Sequence, residues 1–508
     1  MTREYDHIVV GGGSAGCAVA ARLAERPGAQ VCVVEAGPSD QDIRVKIPFG
    51  LVNLLGSNVR NWKRQTVPMA SAGGRQVAVP RGRMLGGSGS INSMVWFRGT
   101  RADFDAWGLP GWDSTTVWDA FDSIEGRMTP ARLPHPHPLS DAFGRVFPAN
   151  DPNAPPTPER QSAGVFHTNM RRGARWSAAD GFLRPSGADV VTGAEVDQVT
   201  FEGPRATGVK LRDGRTLKAR AGVVLSAGSI ESPMILMRSG IGPGADLQGA
   251  GIDVRLDAPG VGANLHDHPG FGLHFKGQGS GYGLTLGQLP AWALSPVQWL
   301  LMRSGRLTSN TVEAGAFYSV TDSDVPDIQT HFLPFLMGWQ GKAIIWGSGY
   351  FADVCLCQPS SRGRLRIGKD RFQPLIDLNL FGDDWDLDMM VRGVERLRQI
   401  LDTAPFEHRG APEGFPGTGV TGDALREVIR TRAGTAYHPV GTVALGGPLD
   451  ARGAVKGIEN LWVADASVMP RITSANTNAP SMMIGWQIGG HVAAAATATP
   501  AASCRVAT

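Results

Sequence analysis

A chain of 508 residues with 42% apolar and 19% charged side chains has the composition of a folded protein large enough for two or more lobes. Its net charge of +3, with no basic tail or stripe, argues against nucleic-acid binding. The five cysteines are odd in number and lack metal-ligand spacing, so neither a disulfide framework nor a metal site is expected, and a reducing, cytoplasmic compartment is.

The first strand is expected at residues 5–10, directly after the opening residues, so a secretory apolar region is not expected. The strand runs into Gly11-Gly12-Gly13-Ser14-Ala15-Gly16 and a helix over residues 17–25. A second apolar run, residues 31–34, ends at Glu35. Strand, G-x-G-x-x-G, helix, strand and acid have the order and spacing of a dinucleotide-binding βαβ unit. Gly11 permits the turn, Gly13 admits a pyrophosphate to the backbone, and Gly16 lets helix and strand approach. The helix N-terminus offers unpaired N–H groups to phosphate, and Glu35 would accept from a ribose hydroxyl.

Residues 38–80 read as loop-rich, with a strand-like piece at 61–67. The glycine-dense turn from Arg81 to Asn92 precedes another apolar run, residues 93–97. Taken alone, it reads as an ordinary glycine loop able to present backbone N–H groups. Proline-rich residues 126–165 read as a surface excursion or lid, in which His135 and His137 are expected to be solvated. Strands at 190–201, 208–211 and 221–226 return to the first lobe, and a helix opens at Gly228 and stops near Gly240. The second lobe, 269–436, is expected to hold strands at 351–357 and 363–367. It also holds an amphipathic helix through Leu387, Val394 and Leu401, capped by Asp383 or Asp384. The most apolar stretch, residues 289–302, carries Pro290, Pro296 and Gln298 and is too short to span a bilayer. Its Trp292, Leu294, Trp299, Leu300 and Leu301 are expected to cover the core, and peripheral membrane contact is left open. A strand at 461–465, a loop through Asn476-Thr477-Asn478 and a helix from about 480 to 496 close the chain.

Four of these stretches together resemble the glucose–methanol–choline (GMC) oxidoreductases, a family of FAD enzymes, over almost the whole chain. They are the N-terminal βαβ unit; Gly82 to Asn92 with Gly99 and Asp105; Gly228-Ser229 with Ser232-Pro233 and Ser239 to Gly242; and Tyr437-His438-Pro439 with Asp465-Ala466-Ser467 and Asn476-Thr477-Asn478. The resemblance implies an α/β (overall α+β) protein with a discontinuous Rossmann-like FAD-binding domain, residues 1–45, 81–105, 171–268 and 437–508. The substrate-binding or cap domain, 106–170 and 269–436, would be built on an antiparallel sheet. The AMP half of FAD would lie on Gly11, Gly13, Ser14, Ala15, Gly16, Glu35 and Ala36, beside Val196 and Ala227. The flavin end would lie against Arg83, Leu85, Gly86, Gly89, Asn92, Ser93, Met94 and Val95, closed off by Asp465, Ala466 and Thr477. Some relatives tether the flavin through a histidine whose match here is Ile91, so FAD is expected to be non-covalent. His266 and His268 match a family loop and are expected to be structural.

Alcohol oxidation removes a hydroxyl proton and a hydride from the same carbon, and the first needs a base. The resemblance assigns His438 as that base and Asn476 as the donor that steadies the substrate oxygen as charge develops. If the last helix points its N-terminus at the flavin, its dipole favours the reduced anionic ring by about 0.3–1 kcal/mol. Glu313 lies where choline-oxidising relatives hold a carboxylate near the substrate's ammonium. Tyr437, Phe335, Trp339 and Trp346 lean instead towards an apolar or aromatic alcohol. The expected activity is oxidation of a primary alcohol, with electrons passed to O2 or a quinone-type acceptor. A choline dehydrogenase-like enzyme using Glu313, an FAD-containing hydroxynitrile lyase and a non-catalytic FAD-binding module are the alternatives. The sequence is silent on oligomeric state.

Overall fold

The computed structural model describes residues 4–147, 154–277, 280–336, 345–403 and 411–498. Two seven-stranded sheets organise the chain.

The first sheet has the order Asp189–Val191, Val31–Val34, Glu4–Val10, Thr216–Leu225, Arg205–Leu211 and Val196–Glu202, with Leu461–Val463 also pairing to Thr216–Leu225. Its core pairings are parallel: Val10 lies beside both Val34 and Leu225, and Leu225 beside Val463. The carboxyl ends of these strands therefore align, delivering Gly11, Glu35, Ser226 and Asp465 to one edge, where open α/β sheets bind ligands. All four positions of the Val31–Val34 strand are buried, as a strand covered on both faces requires. The strand expected at 190–201 is divided by a turn at Gly193 (φ +66°), whose N–H donates to Gly37. The piece expected at 61–67 shortens to Arg64–Gln65, paired with Ala78–Val79.

The second sheet is antiparallel, in the order Glu413–Phe415, Pro269–Lys276, Gly349–Leu356, Ile328–Leu333, Ala314–Tyr318 and Ser162–Val165. The helix Asp384–Leu401 covers one face, with Asp383 accepting from the N–H of Trp385 as its cap. Gly393 brings it close, since a Cβ there would sit 2.6 Å from Val354 Cγ1.

The last helix, Asn478–Ala498, lies along the first, Ser14–Ala24. Gly485 and Gly489 make this approach possible. A Cβ on Gly485 would stand 2.3 Å from the Ala15 carbonyl oxygen, and one on Gly489 3.2 Å from Val19 Cα. The contact carries Asn478 to the opening glycine turn, where its Oδ1 accepts from Ser14 Oγ.

The helix Leu289–Met302 departs from expectation. Only Ser295 and Trp299 are buried on it; Leu294, Leu300 and Leu301 face outward and Trp292 is half-buried. No helix among the described residues is long and apolar enough to cross a membrane. Cys17, Cys32, Cys355 and Cys357 are buried and form no disulfide among the described residues; Cys504 and Trp339 lie outside the described residues.

Candidate active site

A cavity of about 550 Å³ runs from the first glycine turn to His438 and Asn476. At one end, Gly11 (φ +98°) donates its N–H to Val34 and passes so close to Ser226 that a Cβ would meet its carbonyl oxygen at 2.5 Å. Gly16 holds helix against turn, since a Cβ there would lie 2.0 Å from the Gly11 carbonyl oxygen. Glu35 is buried, and its carboxylate accepts from the N–H groups of Gly12 (2.9 Å) and Gly37 (2.8 Å), so it fixes the turn as well as facing the cavity. Burial raises its pKa to about 7.

The second glycine loop packs backbone against backbone on the first. Gly86 (φ +80°) donates to the Gly12 carbonyl at 2.7 Å, and a Cβ on Gly87 would lie 2.8 Å from Gly13 Cα. Side chains at either place would force the loops apart. Buried Arg175 ties the loop from behind, donating to the carbonyls of Val45 and Gly89 and to Asn92 Oδ1.

Of the expected cofactor contacts, Gly11, Gly13, Ser14, Ala15, Glu35, Ala36, Asn92, Ser93, Met94, Val95, Val196, Ala227, Asp465, Ala466 and Thr477 line the cavity. Gly16, Arg83, Leu85, Gly86 and Gly89 do not; they shape it from behind. Arg83 pairs with Glu195 at 3.5 Å, and Leu85 packs beneath Gly12. Asp465 lines the wall with its oxygens engaged: Oδ2 accepts from Gly228 N–H and Ser232 Oγ, and Oδ1 from Ser467 N–H. Asn478 was missed as a wall residue. Its Oδ1 accepts from Ser14 Oγ at 2.7 Å, while its Nδ2 is buried at the cavity without a partner among the described residues. A long cavity with a phosphate turn, an acid and an orphaned donor fits an extended dinucleotide such as FAD.

At the other end, a chain of hydrogen bonds sets the chemistry of His438. His268 Nε2 lies 3.0 Å from the Thr473 carbonyl oxygen, which can only accept, so that nitrogen carries the proton. Burial holds His268 at a pKa of about 4, hence neutral, and its Nδ1 is left as an acceptor. His438 Nδ1, 3.1 Å away, must then donate to it. The His438 Nε2 lone pair consequently faces the cavity, 3.2 Å from Asn476 Nδ2. Burial, and secondarily the neighbouring His268, His331 and Arg81, keep His438 well below the usual histidine pKa. It is a neutral imidazole with its basic nitrogen presented. His268, expected to be merely structural, is thus the group that sets this tautomer. His266 is structural: its Nε2 accepts from Ile472 N–H and its Nδ1 contacts the Asn264 carbonyl.

Gln329 Nε2 donates to Asn476 Oδ1 at 3.0 Å and so turns the Asn476 amide N–H groups toward His438. His331, also missed, lies 3.4 Å from Asn476 and pairs with Asp353 at 3.1 Å. Burial opposes its charge, but Asp353 outweighs burial and raises its pKa. Cys355 completes a group of three ligand-type side chains with atoms within 4.8 Å of one another, yet burial raises its thiol well above the usual value. Only strand register reveals these neighbours. Tyr437 lines the cavity in a left-handed conformation (φ +67°), held by Thr435 Oγ1 on its N–H and the Arg81 guanidinium on its carbonyl.

Glu313 does not line the cavity. It is buried behind the wall with both oxygens saturated: Tyr282 Oη and Ser309 Oγ donate to one, and His137 N–H and Ser140 Oγ to the other. A carboxylate holding four donors is a fastener, and an i-to-motif spacing cannot tell it from a ligand-facing one. His137 is likewise not simply solvated, since its Nδ1 accepts from Leu139 N–H to cap the helix Pro138–Phe143. Phe335 packs on Phe49 outside the cavity and Trp346 is exposed, whereas Leu333, Phe351 and Val312 line it.

Family profiles described as GMC oxidoreductase match residues 5–270 and 359–485. The chain belongs to the GMC oxidoreductase family. An alcohol dehydrogenase [acceptor] from Pseudomonas putida is 35% identical over 94% of each chain. An oxygen-dependent choline dehydrogenase from Brucella canis is 36% identical over 96% of this chain and 95% of its own. Among solved structures, pyridoxine 4-oxidase from Mesorbium loti superposes with a TM-score of 0.83 at 28% identity, covering 96% of this chain and 99% of that one. This GMC oxidoreductase is an FAD-dependent enzyme acting on CH–OH donors.

Proposed function

We propose that the protein oxidises a primary alcohol of apolar or aromatic character to the aldehyde, with non-covalently held FAD and His438 as general base. Bound FAD supplies the hydride acceptor. His438 Nε2 takes the hydroxyl proton, and Asn476 Nδ2 donates to the substrate oxygen as charge builds there. The tautomer chain from the Thr473 carbonyl through His268 is the observation that carries this reading, because it leaves a lone pair and not an N–H at the reacting position. Leu333, Phe351, Val312 and Tyr437 offer apolar wall. Ile91 has no nucleophile with which to tether a flavin. The acceptor is O2 or a quinone-type compound.

The test is anaerobic mixing with a panel of primary alcohols that includes benzylic alcohols and choline, followed by admission of air. Bleaching by apolar alcohols supports the reading; rapid recolouring with peroxide identifies an oxidase, and slow recolouring sped by a quinone a dehydrogenase. Bleaching by choline alone would overturn the substrate class. Mandelonitrile cleavage without any bleaching would overturn the redox reading. His438→Ala is expected to lose about 10²–10⁴-fold in turnover while retaining FAD, which separates an enzyme from a cofactor-binding module.

A further inference from the structure

The helix Leu289–Met302 is built inside out for a water-facing helix. Its buried side holds Ser295 and Trp299, 1% and 3% exposed, and Trp292 and Trp299 donate their indole N–H groups to the Gly283 and Gly173 carbonyls. Its outer side carries Leu294, Val297, Leu300, Leu301 and Met302, with Leu301 76% and Met302 70% exposed. Leu286, 77% exposed, extends the surface, and Ile345 and Trp346 join it through the bridge between Leu284 and Gly347. Fifteen large apolar side chains are exposed among the described residues; seven fall between residues 286 and 302, and Ile345 and Trp346 make nine. A soluble monomer does not leave so concentrated a patch in water without a use for it.

The charge around the patch selects the occupant. No Asp or Glu occurs between Asp267 and Glu313, while Lys276, Arg303 and Arg306 do. Arg172 adds a cation beside Gly173, which touches Arg303. Arg303 ends the helix with its guanidinium 4.0 Å over the Trp299 ring, where a long stem can lie along apolar surface with its head at a polar boundary. An apolar helix of 14 residues is too short to cross a bilayer, and this one is not buried in protein. Apolar side chains outward, tryptophan at the base and cations in the flanking chain with no acid between Asp267 and Glu313 are what an in-plane helix seated in a lipid headgroup region requires.

The geometry points to a membrane-docking surface: the helix Leu289–Met302 with Leu286 and Trp346 inserts into the surface of an anionic phospholipid bilayer. Trp292 rests on Phe49 at 5.2 Å, and Leu51 and Val52 just beyond Phe49 line the active-site cavity, so the docked bilayer lies against the wall of the catalytic chamber.

The experiment is flotation of the holoenzyme with vesicles of phosphatidylcholine alone or mixed with phosphatidylglycerol, at low and high salt. Wild type is expected to float with the anionic vesicles and to be weakened by salt. Leu294→Glu/Leu301→Glu is expected to lose at least tenfold in bound fraction, and Arg303→Glu to lose binding to anionic vesicles selectively. Flavin content, and turnover of a water-soluble alcohol with a soluble acceptor, are expected to be unchanged in these variants. That readout keeps failure of the docking idea distinct from failure of the redox reading. Wild type that stays with the soluble fraction in every mixture overturns the proposal, as does a double variant that floats equally well. A dimer in solution that the double variant converts to monomer, without any flotation, would assign the patch to a second copy instead. Equal flotation on neutral vesicles would overturn the anionic selectivity.

Discussion

At the scale of single residues, the pair His268 and His438 makes the sharpest claim. Removing the acceptor at His268 Nδ1 frees His438 to place its proton on Nε2, the wrong side for catalysis. His268→Leu is therefore expected to lower kcat between about 10- and 10⁴-fold, and His268→Asn, which retains an acceptor near the Nδ1 position, to lose less. Equal losses in both variants would contradict a tautomer role. The pH profile carries the same signature. Catalysis needs His438 unprotonated, and burial lowers its folded pKa well below 6.5, so kcat/KM should stay level from neutral pH down through 6.5 and fall only in more acid solution. An acid limb centred at 6.5 or above would show that the imidazole is not held neutral by burial. Asn476→Ala is expected to cost about 10²–10³-fold in kcat, measured with FAD content unchanged.

Among elements, two contacts position the site without touching substrate. The first is the fastening of residues 137–140 to the second sheet through Glu313. Gln in its place returns one acceptor and presents an amide N–H₂ to groups that now donate, so Glu313→Gln should cost about 1–3 kcal/mol in thermal or denaturant unfolding. Its KM for choline should move no more than its KM for other alcohols; a selective loss for choline would restore a substrate role to this carboxylate. The second is the crossing of the first and last helices at Gly485. Even Gly485→Ala places a carbon against the Ala15 backbone and should cost about 1–3 kcal/mol, seen as a lowered melting temperature together with faster FAD loss.

For the molecule as a whole, the frame was largely readable and the packing was not. Gly11 to Glu35 announces its role because turn, helix dipole and acid must follow one another locally, and the alternation of apolar runs exposes the parallel sheet. His331 and Asp353 meet through the register of adjacent strands, and His268 meets His438 across 170 residues, distances that periodicity does not report. The side of the wall that Glu313 faces was not legible, because a motif fixes where a carboxylate sits along the chain and not which way it points. Leu294, Leu300 and Leu301 were misplaced because an apolar run is buried in protein by default, and here the solvent-facing side is the apolar one.

The helix crossing at Gly485 also orders events in time. Synthesis delivers Ser14 of the phosphate turn 464 residues before Asn478, which closes over it, and before most of the helix that anchors Asn478. A nascent chain holds half a cofactor site for almost the whole of its elongation. Tight loading with FAD consequently waits for the segment that follows residue 470, and a version stopped at residue 470 should emerge without flavin even when its first sheet is complete, a result read directly from its visible absorbance.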